Sequence, residues 1–238
     1  MNPTAASQIV WNEETLTRFW TYYAQFPETY FSFQYGAAVL AKVRPRLRAG
    51  ARVVDYGCGP GHLLTHLLNA GYVVSGADLS IETMAQASTK ANGRPNFEGL
   101  FTVDQLIARG QSFDAVFLLE VIEHLDDHWL AETLANIRLL LARDGILFVT
   151  TPNEERLQEH IVYCPVSNLV FHRWQHVRSW SRDSLEASLR EHGFGRIETE
   201  ACNFTSAEEM RLPRLRRLAH WAAVRWRRPR SLLAMAQL

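Results

Sequence analysis

The sequence predicts an α/β fold: a doubly wound, mostly parallel sheet, with a helical N-terminal cap before it and a basic helix after it. Three observations carry this. Apolar, β-branched runs of strand length alternate with amphipathic helical patterns from Ala51 onward, and such alternation belongs to buried parallel strands joined by helical crossovers. The run VVDYGCGPGHLLTHLL, residues 53–68, passes from strand to helix through three closely spaced glycines. The 238 residues include 47% apolar and 21% charged, ordinary for one globular domain with appendages.

Taken in order, residues 1–50 read as a helical cap dense in aromatics, with Gly50 as a helix stop. ARVVDYG is a buried strand and HLLTHLLNAG a helix closed by Gly71. YVVSGADLS is a second strand, and SIETMAQASTKA a helix capped by Ser80. RPNFEGLF and SFDAVFLLE are the third and fourth strands, and a helix follows over 121–141. DGILFVTTPN is the fifth strand, ending at Pro152. Residues 150–180 show no clear periodicity and read as an insertion; a loop this long in a compact domain is usually functional or disordered. SRDSLEASLREHGF is a capped helix ending at Gly193, and GRIETEACNF another strand. The organisation is therefore a cap over 1–50, a main domain over 51–205 with a lid at 150–180, and an Arg-rich tail over 206–238.

Net charge is zero but uneven. Eight of the 25 basic residues, all arginines, lie at 210–238 without an acid, which leaves 17 basic against 25 acidic residues elsewhere. Residues 214–227 fit an amphipathic helix with a basic face, ended by Pro229 and followed by a short apolar coda, SLLAMAQL. Such a segment suits an anionic membrane surface, RNA phosphates, an acidic partner or the chain's own acidic body. No apolar run reaches the about 18 residues of a membrane span, and the N-terminus has no signal-peptide pattern. Cys58, Cys164 and Cys202 form no framework and fit a reducing cytoplasm. The expected location is the cytoplasm, with peripheral contact at the inner membrane face through the arginines.

The glycine loop is Gly57-x-Gly59-x-Gly61, and His62 stands where a dinucleotide fingerprint needs its last glycine. A turn here lets a ligand sit against backbone N–H groups at a helix start. Asp78, at the end of the second strand, can accept hydrogen bonds from a ribose. With no Arg or Lys in the loop, a nucleoside joined to a zwitterionic or cationic group fits better than a diphosphate. The plain alternative is a tight strand-to-helix turn with close packing and no ligand, with Asp78 as an ordinary turn residue.

VVDYGCGPG, GADLS, FDAVFLLEVIEHL and LARDGILFVTTPN resemble, in order and spacing, the successive motifs of class I S-adenosylmethionine-dependent methyltransferases, over roughly residues 50–200. That resemblance implies a Rossmann-like, seven-stranded sheet with its last strand antiparallel. It implies S-adenosyl-L-methionine as cofactor, with Asp55, Gly57, Gly59 and Gly61 lining the methionine end, Cys58 as a small filler in the loop, and Asp78 and Leu79 at the ribose. It places the adenine near Leu100 and Phe101, and Glu120 at the cofactor's edge.

Glu120, Glu123 and His124 have i, i+3, i+4 spacing and would share one face of a helix at the carboxyl end of the fourth strand. Three readings stay open. Glu120 caps the helix and the others form local ion pairs. Alternatively His124, or His176 from the insertion, is a general base toward the substrate. In the third, Glu120, Glu123, His124 and His176 hold a divalent metal. ExxEH resembles the motif of quinone-biosynthesis O-methyltransferases and of small-RNA terminal 2′-O-methyltransferases. The family resemblance puts the insertion over the pocket as part of the acceptor site.

The expected function is methylation at oxygen of a small, lipid-linked or glycan-linked acceptor. Two alternatives remain: a metal-dependent RNA 2′-O-methyltransferase, although no RNA-binding domain is visible and nucleic acid is a less favoured partner; and a catalytically silent cofactor-fold protein serving a partner.

Overall fold

In the computed structural model, residues 6–79, 84–210 and 228–238 are described. The sequence alternation produces one seven-stranded sheet. Its strands are β2 (Arg52–Tyr56), β3 (Val73–Asp78), β4 (Phe97–Thr102), β5 (Phe113–Leu119), β6 (Leu141–Pro152), β9 (Arg196–Cys202) and β10 (Ser231–Gln237). Their order across the sheet is β4-β3-β2-β5-β6-β10-β9. Strands β2 to β6 pair in parallel, while β10 runs antiparallel to both β6 and β9. The order reverses between β2 and β5, and a ligand crevice opens beyond the carboxyl ends of strands at such a switch point.

Both faces are covered, as continuous apolar strands require. On one face α2 (Phe31–Val43), α3 (His62–Asn69) and α4 (Ala85–Ala91) bury Val39, Leu40, Leu64, Leu67 and Ala87. On the other, α5 (Val103–Ala108), α6 (Asp127–Leu140) and α7 (Arg182–Glu191) bury Leu106, Leu134, Ile137, Leu185 and Leu189. Each fully buried Val, Leu or Ile side chain contributes about 1.5–3 kcal/mol. Local capping sets the starts: Thr102 and Gln105 form a reciprocal box at α5, and Ser181 and Ser184 do so at α7.

Several expectations need correction. The cap is two helices, α1 (Glu13–Tyr23) and α2, and the second ends at Val43, before a single 3-10 turn that contains Pro45. Gly50 therefore closes a later turn, at φ +66°, and not a helix. The helix expected over 121–141 starts only at Asp127, where the Asp126 carboxylate accepts the Trp129 N–H at 2.9 Å. Upstream of it Ile122–His124 is one isolated 3-10 turn. The insertion is also ordered: β7 (Ile161–Cys164) and β8 (Leu169–His172) form a hairpin, and β8 pairs with β1 (Ser7–Gln8) from the cap.

The largest correction concerns the apolar coda. SLLAMAQL is β10, a core strand whose Leu232, Leu233, Ala234 and Ala236 are buried. Residues 206–238 are thus not one peripheral tail. After the short α8 (Ala207–Met210), the expected basic helix falls on 211–227, outside the described residues, as does the Ser80 cap. Among the described residues, no helix is long and apolar enough to cross a membrane.

Candidate active site

A cleft of about 440 Å³ opens at the carboxyl ends of β2, β3 and β5. It runs from Gly57, Gly59 and Asp78 at one end to Glu123, His124 and His176 at the other. The cap supplies its aromatic walls through Trp20, Tyr30 and Phe31.

At the first end the chain turns sharply out of β2. Gly59 takes φ +44°, and its N–H donates to the Asp78 carboxylate at 2.8 Å; the Leu79 N–H donates to the other oxygen, also at 2.8 Å. The loop and the end of β3 are thereby locked together, with Asp78 at the cleft wall. Gly61 does a different job. Its φ is +74°, and a Cβ there would lie 2.7 Å from the Ala87 Cβ, so it permits close packing of α3 on α4. Cys58 is buried and lines the cleft; burial, then Asp78 and Asp55, pushes its thiol well above the ordinary range, which disfavours the thiolate. Asp55 is buried beneath the loop. Desolvation and the Asp78 charge raise its carboxyl to about 8, and it stays protonated at neutral pH.

Of the ten residues expected at the cofactor, Gly57, Cys58, Gly59, Asp78, Leu79 and Glu120 line the cleft. Asp55, Gly61, Leu100 and Phe101 lie off it. Leu100 packs in the α3–α4 face, and Phe101 packs under the Arg109 guanidinium, 4.6 Å from its ring centre. Val103, at the start of α5, lines the cleft instead.

The second end is built differently. Glu120 directly follows β5 with φ +53°, a left-handed conformation rare for a residue with a side chain, and its N–H donates to Thr150 O at 2.9 Å. The 3-10 turn then brings Glu123 and His124 back over the sheet. The three residues do not share a helical face, as the spacing implied; the strand end and the tight turn place them. The insertion is stitched to this turn. Val177 N–H donates to Glu123 O at 2.9 Å, the Gln175 side chain donates to His124 O at 2.9 Å, and the His124 ring meets Gln175 O at 3.4 Å through Nδ1. His176 thereby comes to lie beside His124, ring centres 4.8 Å apart.

Glu123 is 1% exposed. Its Oε2 accepts from Thr151 at 3.0 Å, while Glu123 Oε1 and Glu120 Oε1 are buried without a hydrogen-bond partner. Burial raises both carboxyls, and for Glu123 the neighbouring Glu120 adds to it. Two buried carboxylates this close need a proton or a cation between them. His124 is pushed down to about 3, first by burial and then by His176, and is neutral at physiological pH. Glu155, which contacts His176, is also raised by burial, but the His176 hydrogen bond and the fields of His176, His172 and His160 outweigh this and leave it below the usual range.

Donor atoms of Glu123, His124 and His176 all fall within 4.8 Å of one another, so the expected metal set comes together with Glu120 left outside it. The donors fit a divalent ion: an orphaned carboxylate oxygen, and a His124 ring whose Nδ1–H is taken by a carbonyl, which frees Nε2. Glu155, Gln175 and Thr151 were absent from the sequence reading. Glu155 had one usable signal, an acid beside a segment with several histidines; Gln175 and Thr151 had none.

The sheet order, the switch-point cleft and the glycine turn locked to an acidic strand end together define a Rossmann-like methyltransferase fold. The family model described as a methyltransferase domain matches residues 29–199, and the chain belongs to that family. Among curated proteins it is similar to the ubiquinone biosynthesis O-methyltransferase of Rhizobium etli (strain CIAT 652), 34% identical over 133 residues, or 55% of this chain and 52% of that one. The chain thus spans about half the length of the curated relatives it matches. Among solved structures it resembles an S-adenosylmethionine-dependent methyltransferase from Archaeoglobus fulgidus, with TM-score 0.57 and 20% identity over 85% of this chain and 92% of that one. It also resembles DhpI in complex with S-adenosylhomocysteine, with TM-score 0.60 and 18% identity over 94% and 95%. At such identities these structures speak for the fold.

Proposed function

We propose that this chain transfers the methyl group of S-adenosylmethionine to a hydroxyl of a small, largely apolar acceptor. The observation that carries the reading is the continuity of one cleft from Gly57, Gly59 and Asp78 to Glu123, His124 and His176. Asp78 and the glycine turn bind the adenosyl donor. The walls of Trp20, Phe31, Trp129 and Trp174 receive the acceptor's apolar body and exclude water. The relatives named as ubiquinone biosynthesis O-methyltransferases support transfer to oxygen.

In the transfer, the acceptor oxygen attacks the methyl carbon in line, the carbon–sulfur bond breaks, and the sulfonium becomes the neutral thioether of S-adenosylhomocysteine. The hydroxyl must lose its proton. His124 and His176 stand at that end of the cleft; burial leaves His124 a weak base, so His176 is the one assigned to accept it. Where a divalent ion is bound, Glu123, His124 and His176 hold it, and it supplies a lowered pKa for the acceptor hydroxyl.

Titration calorimetry with S-adenosylhomocysteine tests the reading. Binding in the micromolar range is expected; no heat at millimolar ligand would sink it.

A further inference from the structure

Three histidines of the insertion gather around one carboxylate. Glu155 Oε1 lies 3.5 Å from His172 Nε2 and 3.9 Å from His160 Nε2, and Glu155 Oε2 is in hydrogen-bond contact with His176 Nδ1. A neutral imidazole carries one proton, so what each nitrogen faces fixes where the proton sits. His172 Nδ1 receives the backbone N–H of Trp174 at 3.3 Å and of His176 at 3.1 Å. Its lone pair is therefore on Nδ1 and its proton on Nε2, on the side of Glu155. His176 is the reverse. A carboxylate only accepts, so His176 Nδ1 holds the proton, and the lone pair is left on Nε2, across the ring from Glu155. The two rings stack, 4.6 Å apart at 19°, with opposite tautomers.

We propose that Glu155 is the positioning residue of the acceptor end: it takes the Nδ1–H of His176 and so presents that ring's Nε2 lone pair to the cleft. His172, 3% exposed and held by two backbone donors, lies 3.5 Å from Glu155 through Nε2, which makes no hydrogen bond among the described residues. The assignment also separates two overlapping clusters. Glu155, His172 and His176 have donor atoms within 4.8 Å of one another, as Glu123, His124 and His176 do. Only the second offers free imidazole lone pairs, because that of His172 is already occupied. Glu155 thus supports a ligand or base and does not hold an ion of its own. This rests on the proposed reaction for its purpose, though not for its geometry.

The test is long-range proton–nitrogen NMR of the histidine rings in the full chain, at a pH where they are neutral, with no cofactor or acceptor added. The wild type is expected to show His176 protonated at Nδ1 and His172 at Nε2. Glu155→Ala should make the Nε2–H form of His176 the major one, while Glu155→Gln, whose carbonyl still accepts, should restore the original form. In parallel, Mn²⁺ affinity should fall tenfold to a hundredfold in Glu155→Ala. S-adenosylhomocysteine affinity should stay within twofold, which also shows that the variant is folded. Nε2–H on His176 in the wild type, or a tautomer indifferent to Glu155→Ala, overturns the proposal. So does a second Mn²⁺ site that is lost in both Glu155→Ala and His172→Ala. Failure to bind S-adenosylhomocysteine would instead sink the methyltransferase reading and leave the tautomer result standing.

Discussion

The two ends of the cleft are made in opposite ways. The glycine end is local: the loop after β2 meets the tip of the neighbouring strand β3, and backbone amides make the connections. The acceptor end is assembled from separate segments. A 3-10 turn after β5, the hairpin-bearing insertion and the cap helices converge there, with side chains as the connectors. The difference teaches that binding of the donor and activation of the acceptor can be altered independently.

The strongest test of that independence is His176→Ala. Turnover on a phenolic acceptor should drop about a hundredfold to ten-thousandfold, with S-adenosylhomocysteine affinity unchanged by calorimetry. A matching loss of cofactor binding would break the comparison. Asp78→Ala is the converse. It removes a carboxylate that also anchors the Gly59 N–H, and about a hundredfold weaker cofactor binding is expected, with the histidine ring signals undisturbed. Gly61→Ala sharpens the contrast within the glycine loop. The new methyl meets Ala87 at 2.7 Å in a left-handed backbone, so thermal unfolding should report a loss of about 2 kcal/mol.

The last effect, at Asp55, is one of pH dependence. Its carboxyl is near 8 in the folded chain against 3.8 for a free one. A raised pKa means that its contribution is complete below pH 3.8 and is lost as pH rises toward 8. Asp55→Asn should therefore match the wild type's pH trend below 4 and gain stability on it steadily as pH rises toward 8, read from denaturant curves. A constant offset at all pH values would show that Asp55 is charged in the fold.

The same contrast explains what the sequence made legible. VVDYGCGPG and GADLS could be placed because strand, turn and helix periods meet within a few residues, and neighbouring parallel strands bring their ends together automatically. EVIEHL was misplaced on a helix because i, i+3, i+4 spacing looks the same whether a helix or a bent strand end presents it. The left-handed Glu120 and the Asp126 cap decide the matter, and only the second leaves a trace in the sequence. Gln175 and Glu155 were illegible, since their partners depend on how the insertion docks, 51 and 21 residues away in the chain. Strand β10 was hidden by its neighbours: an apolar run after eight arginines reads as an appendage until its pairing with β6 and β9 is seen.

That pairing has a consequence for assembly. Among the described residues strand β9 joins the sheet only through β10, so until β10 slides between them the rim of β6 stays unzipped, with a row of bare amides and carbonyls. The arginines at 211–227 sit in the connection that delivers it, closed at both ends by sheet strands. Like charge in that connection discourages two half-folded copies from borrowing each other's missing strand. Shortening it would be felt first in refolding yield.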